Sequence, residues 1–185
     1  VLQEVMNPDH PFSQFTVGSL DTLADRPSST VRDDLLDFYA KHYSANQMKL
    51  AVLGTQSLDE LEALVRPIFS AIPNKSFEYT DIEEPLFPDD SLPLLVQVQS
   101  QATLRELQIG FPIADYRSAY KAKPLSYLGN LVGHEGKGSL LSALKAEGLA
   151  EGLGAGSGIA WRGGSLFSLS VTLTEAGATN FERVL

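Results

Sequence analysis

The three histidines, His10, His42 and His134, are the natural candidates for metal chemistry, because a hydrolytic zinc site gathers three protein ligands around an open position. None lies within a helical turn of another, and neither His-x-x-Glu-His nor His-Glu-x-x-His occurs in the chain. The sequence therefore offers no local scaffold for a catalytic zinc. Cysteine is absent, which removes disulfides, thiolate nucleophiles and Cys-based zinc sites. Ser157 lies in Gly156-Ser157-Gly158, yet no Gly-x-Ser-x-Gly turn stands between a strand and a helix, and no base is placed beside it. No catalytic residue is assigned.

Two glycine-rich stretches invite a nucleotide reading and fail it. Gly133-His134-Glu135-Gly136-Lys137-Gly138-Ser139 has the outline of a phosphate loop, but Gly138 follows Lys137 where Ser or Thr is required, and Leu131 takes the place of the first glycine. Gly152-Leu153-Gly154-Ala155-Gly156 follows a helix pattern and precedes a strand pattern, the reverse of a dinucleotide site. A different use suits both stretches. Glycines let another backbone approach closely, and an exposed strand edge accepts a peptide by strand addition. His134 and Glu135 are placed to hold a charged peptide terminus, with Glu135 the receiver for an α-ammonium group. The equal alternative is that both cap the preceding helix and satisfy buried backbone groups.

The elements that must position these stretches are legible in outline. Residues 7–30 are irregular, broken at Asn7-Pro8 and Arg26-Pro27. Thr30 caps a helix of about 13 residues with Asp33 reaching back to the cap; Val31, Leu35, Phe38, Tyr39 and Tyr43 are expected to face a core. Met48–Leu53 reads as a short buried strand ended by Gly54. Ser57 with Glu60 forms a capping box for a second helix, which Pro67 is expected to kink. Residues 74–93, with Pro85, Pro88, Pro93 and Asp81, Glu83, Glu84, Asp89 and Asp90, have the composition of a linker. Strands follow over Leu94–Ser100 and Arg105–Phe111, helices over 117–132 and 138–147, a glycine-rich loop over Gly148–Gly164, and a strand over Ser165–Leu173. Thr174 then caps a helix that has only begun, so the chain reads as a piece of something longer.

Composition sets wide bounds. At 185 residues and 43% hydrophobic content, the chain can build a core in one or two domains. Its apolar runs are far too short to span a bilayer, so no membrane contact is expected. Net charge is −9 with no Lys/Arg cluster, which argues against a nucleic-acid partner; an acidic balance of this kind serves solubility first and is also compatible with basic ligands or peptides.

Several segments, in order, carry a resemblance. Asn7-Pro8-Asp9-His10-Pro11-Phe12 is similar to the Asn-Pro-x-His-Pro-Phe segment of the pitrilysin and insulin-degrading-enzyme family. Phe38-Tyr39-x-x-His42-Tyr43-Ser44-x-Asn46-x-Met48, Leu53-Gly54 with Ser57-Leu58-Asp59, and Phe111-Pro112-Ile113 follow. The longest runs from Tyr127 to Gly136 and on through Gly138-Ser139-Leu140-Leu141. The resemblance implies an α+β fold: the end of one pitrilysin-type α/β domain, then the first part of a second, of LuxS/metallohydrolase-like architecture. Its implied boundaries are 1–79 for the first domain without its zinc motif, 80–93 for the linker and 94–185 for the non-catalytic second domain. It implies a zinc metalloendopeptidase parent whose inverted His-x-x-Glu-His motif lies before Val1, with no cofactor in this segment.

By the same resemblance, a substrate-anchoring exosite maps onto Asn130, Leu131, Val132, Gly133, His134, Glu135 and Gly136, and onto Leu153, Gly154, Ala155, Gly156 and Ser157. Relatives commonly carry Gly-Gly-Gln where this chain has Ala155-Gly156-Ser157, so a weaker anchor is expected with the strand-pairing mode kept. Peptide substrates and the rest of the parent chain are the implied partners. The alternative is a catalytically inactive family member that serves as a binding or assembly subunit. The compartment stays open between the bacterial periplasm and a soluble intracellular one.

Overall fold

The computed structural model describes residues 2–80, 82 and 84–185. The chain divides into two compact units, Phe15–Thr80 and a second formed by Val1–Gln14 with Asp81–Leu185.

In the first unit, helix α1 spans Val31–His42 and helix α2 spans Leu58–Phe69. The Thr30 hydroxyl accepts from the Asp33 amide and donates to the Asp33 carboxylate, so the cap forms as expected. Ser57 and Glu60 close a complete capping box, whose hydrogen bonds from Ser57 hold the Glu60 carboxyl below its ordinary range. Helix α2 continues through Pro67. Two expectations are corrected here. Met48–Leu53 is not a strand, and Leu50, Val52 and Leu53 are exposed. The apolar face of α1 is also uncovered: Leu35, Phe38, Tyr39 and Tyr43 are all exposed. A strand needs a ladder partner and a helix face needs a sheet to cover it, and the described residues of this unit supply neither. Local aromatic contacts replace a core, with His42 tilted against Phe38 at 4.5 Å and edge-on to Phe77 at 5.2 Å.

The second unit is built on a three-stranded antiparallel sheet in the order β1-β3-β2, with β1 at Glu106–Ala114, β2 at Ala150–Trp161 and β3 at Gly164–Leu173. β2 and β3 form a hairpin turned by Arg162-Gly163, where Gly163 takes φ +95°. The expected loop over Gly148–Gly164 is therefore mostly strand. Its alternation is hidden because glycine and alanine occupy most positions, but the register pairs Leu153 with Val171, Ala155 with Leu169 and Ser157 with Phe167. Leu94–Ser100, expected as a strand, pairs with no strand among the described residues, and Leu94, Leu95, Val96 and Val98 are exposed.

Helices α3 (Pro124–Val132), α4 (Leu140–Ala146), α5 (Glu175–Thr179) and α6 (Phe181–Val184) complete the unit. The expected helix over 117–132 breaks into a short turn and α3, because Pro124 disfavours helical geometry at Lys123, which adopts φ 47°. Leu141 and Leu144 of α4 pack with Leu149, Leu153, Val171 and Leu173 into the core, against which Leu107, Ala178 and Val184 also rest. Thr174 caps α5 as expected, accepting from the Gly177 amide. The leading segment is clasped to this unit: the Asn7 amide donates to Leu86 O at 2.9 Å, its side chain donates to Pro85 O at 3.0 Å, and Phe12 lies 6.2 Å from the Trp161 ring.

Helix α3 settles directly on the main chain of β2. A Cβ at Gly129 would lie 2.8 Å from Ala155 O and 3.1 Å from Gly156 Cα, and one at Gly133 would lie 3.2 Å from Ala155 N. Gly129→Ala should thus destabilise the unit by about 1–3 kcal/mol, whereas Gly154→Ala, where a Cβ meets nothing within 4 Å, should change stability by less than about 0.5 kcal/mol. Urea unfolding of both variants checks the contrast; equal losses would remove the close packing as its cause.

A second expectation concerns acidity. Ser170, then Gln108, donate to Glu106 across β1 and β3 and hold its carboxyl below the ordinary range. Because the folded-state value is lowered, this contribution is complete above the group's ordinary pKa and is lost as pH falls through the lowered value. Glu106→Gln should lower the urea midpoint at neutral pH, and its gap from the unmodified chain should close on acidification. A gap that widened instead would reverse the assignment.

Candidate functional site

The two stretches singled out in the sequence meet at one place. Residues 130–136 form the end of α3 and the turn after it, and residues 153–157 form the middle of β2. Glycine permits the contact, since a side chain at 129 would run into Ala155 O, and one at 133 would crowd Ala155 N. Helix and strand run in opposite senses, with Gly133 beside Ala155 N and the start of α3 beside Ser157 and Ala160.

β2 is an edge strand: it pairs with β3 alone among the described residues, so its other side carries main-chain groups with no ladder partner. Gly154 and Ser157 are exposed on this strand, while Ala155 and Gly156 are half-buried. Register shifts bracket the stretch, between Ala150 and Gly152 and between Ser157 and Ala160. Such bulges mark where a strand bends away from regular pairing.

Side chains around this edge fall into distinct roles. Leu153 is buried in the core, so only its main chain is available to a ligand. Val132 turns inward and lines an apolar cleft of about 570 Å³ beneath α3, together with Phe111, Leu128, Phe167 and Leu169. Asn130 and Leu131 are exposed on the outer side of α3. His134 is spent locally: its Nδ1 accepts from the Gly136 amide at 3.1 Å. Glu135 is exposed and its carboxylate has no partner among the described residues. Of the two readings open for this pair, the turn-closing role therefore belongs to His134, while Glu135 is free for a ligand.

The chemistry available here is hydrogen bonding by main chain plus one carboxylate. Among the described residues no three histidine, aspartate or glutamate side chains gather where a metal could be held. His10 is buried with its Nδ1 accepting from the Phe12 amide, and His134 closes its own turn. These donors do not fit a catalytic zinc.

Sequence reasoning missed Gly129, the residue that brings helix and strand into contact. It also missed the stretch 115–126, which lines a second cleft beyond Ser157. The Lys123-Pro124 pair was the available signal, since it ends the preceding turn and starts α3 at the mouth of that cleft.

The chain is similar to known proteins over nearly its whole length. Residues 30–185 match the family model described as the Peptidase M16 inactive domain. Insulin-degrading enzyme of Homo sapiens is 41% identical over 182 residues, covering 97% of this chain and 18% of that protein. The A-factor-processing enzyme of Saccharomyces cerevisiae is 35% identical over 186 residues, covering 99% of this chain and 18% of that protein. The crystal structure of pitrilysin superposes with a TM-score of 0.83 at 29% identity, covering 99% of this chain and 20% of that one. The chain thus spans about a fifth of the length of the relatives it matches. It belongs to the M16 peptidase family, as a segment of the part that the family model describes as inactive.

Proposed function

We propose that this segment anchors the amino-terminal end of a peptide inside a larger M16 zinc metalloendopeptidase, forming part of the wall of its substrate chamber. The observation that carries the reading is the edge of β2, which has no second ladder partner among the described residues, with α3 seated against its middle at Ala155 and the exposed Glu135 in the turn that follows. An extended peptide adds to such an edge through main-chain hydrogen bonds, which makes affinity tolerant of sequence. Glu135 receives the α-ammonium group and fixes where the peptide starts. Residues 130–136 and 153–157 act as one exosite in this reading, with Ser157 giving a shorter polar contact than the amide common in relatives.

Under the same proposal the chain is divided as the resemblance implies: 1–79 closes the first domain, 80–93 links, and 94–185 opens a second domain of LuxS/metallohydrolase-like architecture. The boundary between compact units at Thr80 supports the division. The leading segment, by its contacts at Asn7 and Phe12, clasps the second unit. Zinc and the residues that hold it belong to other parts of the parent, which supplies the hydrolytic step.

In the full-length parent, Glu135→Ala should raise KM for a peptide with a free amino terminus by about three- to tenfold while kcat changes less. Acetylating the peptide's amino terminus should weaken binding to the parent to a similar extent and should have no further effect in the variant. A collapse of kcat alone would place Glu135 near the chemistry, and indifference to acetylation would end the anchoring proposal. Peptide capture without hydrolysis by the full-length parent would favour the inactive binding or assembly subunit.

A further inference from the structure

A cleft of about 370 Å³ lies beyond the end of the candidate anchor, lined by Tyr116, Tyr120, Lys123 and Ser126 on one side and by Ser157 and Ala160 of β2 on the other. Its charge is uneven. Asp115, the acidic residue of the lining, is occupied by Arg117, whose Nε lies 3.0 and 2.9 Å from the two carboxylate oxygens. Arg117 also donates to Trp161 O at 3.2 Å. The Lys123 ammonium has no partner among the described residues. It stands at the mouth of the cleft on a backbone held at φ 47°, a conformation that a side chain larger than glycine seldom adopts. The start of α3 immediately after it has no side-chain cap, which adds positive potential of the same sign. In a chain of net charge −9, this is a local reversal.

Distance along the strand connects this cleft to the anchor. α3 runs against β2, so Gly133 and the turn with Glu135 lie toward Leu153 while the cleft lies toward Ala160. A peptide whose amino group is held at Glu135 therefore travels from Gly154 toward Ala160. An extended chain advances roughly 3.3 Å per residue, so about its third to fifth residue draws level with Ser157.

We infer that this cleft is a side-chain pocket for an acidic residue at about the third to fifth position of the bound peptide, with Lys123 as its cation. The inference rests on the anchoring proposal and adds to it a specificity that main-chain pairing cannot supply. The tyrosine rings of Tyr116 and Tyr120 take the aliphatic part of the side chain, and the carboxylate meets Lys123.

The test uses the full-length parent with chelator present, so that binding is read without cleavage. Glycine- and serine-based decapeptides carry a free amino terminus, a carboxy-terminal fluorophore, and Glu or Lys at position three, four or five; binding is followed by fluorescence anisotropy. At one of these positions the Glu peptide should bind about three- to tenfold more tightly than the Lys peptide at low ionic strength, with the difference shrinking as salt rises. Lys123→Gln should remove the preference and Lys123→Glu should reverse it, while amino-terminal acetylation still weakens binding in both variants. That last arm also reports that the variants are folded. Equal affinity for the Glu and Lys peptides at all three positions, or a preference untouched by Lys123→Glu, would overturn the pocket and leave the anchor standing. Acetylation without effect on the unmodified parent would remove the anchor, and the pocket's register with it.

Discussion

The seating of α3 on β2 is a contact between two main chains, and much of the second unit is organised by it. Gly129 is buried, and a methyl group there would overlap the carbonyl of Ala155. Because the helix comes down this far at residues 129–133, its opposite end at Pro124 stands beside Ser157 and Ala160 with room for a cleft. The same seating carries the turn of residues 134–136 to the middle of an edge strand. A larger residue at 129 would lift the helix, and the free carboxylate would then have no fixed relation to the strand's unpaired groups. Precision in a binding constellation comes from such rigid support rather than from the ligand-facing side chains themselves.

Local signals in the sequence were dependable where one residue type meets one backbone need. Thr30, Ser57 and Thr174 each accept from the amide three residues on, as capping chemistry requires. The two glycine-rich stretches stood out in the sequence, and the structure brings them together where Gly129 and Gly133 lie against Ala155 and Gly156. Failures came where structure depends on partners distant in sequence. The apolar runs 48–53 and 94–100 have strand composition, but a strand exists only as part of a ladder, and no partner pairs with them among the described residues. β2 failed in the opposite sense: its glycines lack the β-branched signature, and its strand character comes from pairing with β3.

The first unit shows the cost of that dependence. Leu35, Phe38, Leu58, Leu64 and Ile68 remain exposed on two well-capped helices. Capping fixes where a helix starts and contributes on the order of 1 kcal/mol, whereas burying an apolar face contributes several times that. Helices of this length are marginal in water without tertiary packing. Two well-capped helices with uncovered apolar stripes thus lack the cover that would stabilise them, in a chain that spans about a fifth of the length of its relatives.

Charge and hydrogen bonding divide the work at the candidate site in a way that composition alone would misread. A net charge of −9 attracts ammonium groups from a distance, but that field is screened within about 8 Å at physiological salt and does not choose among them. One exposed carboxylate adds modestly, since ion pairs in water are individually weak. In the proposed anchor, main-chain pairing along β2 would supply an extended set of bonds without reading side chains. An anchor of this type accepts many peptides and rejects few. Discrimination must then come from where side chains fall beside the strand. In this chain the cleft beside Ser157 is lined by Lys123, which has no partner among the described residues and is opposite in sign to the protein as a whole.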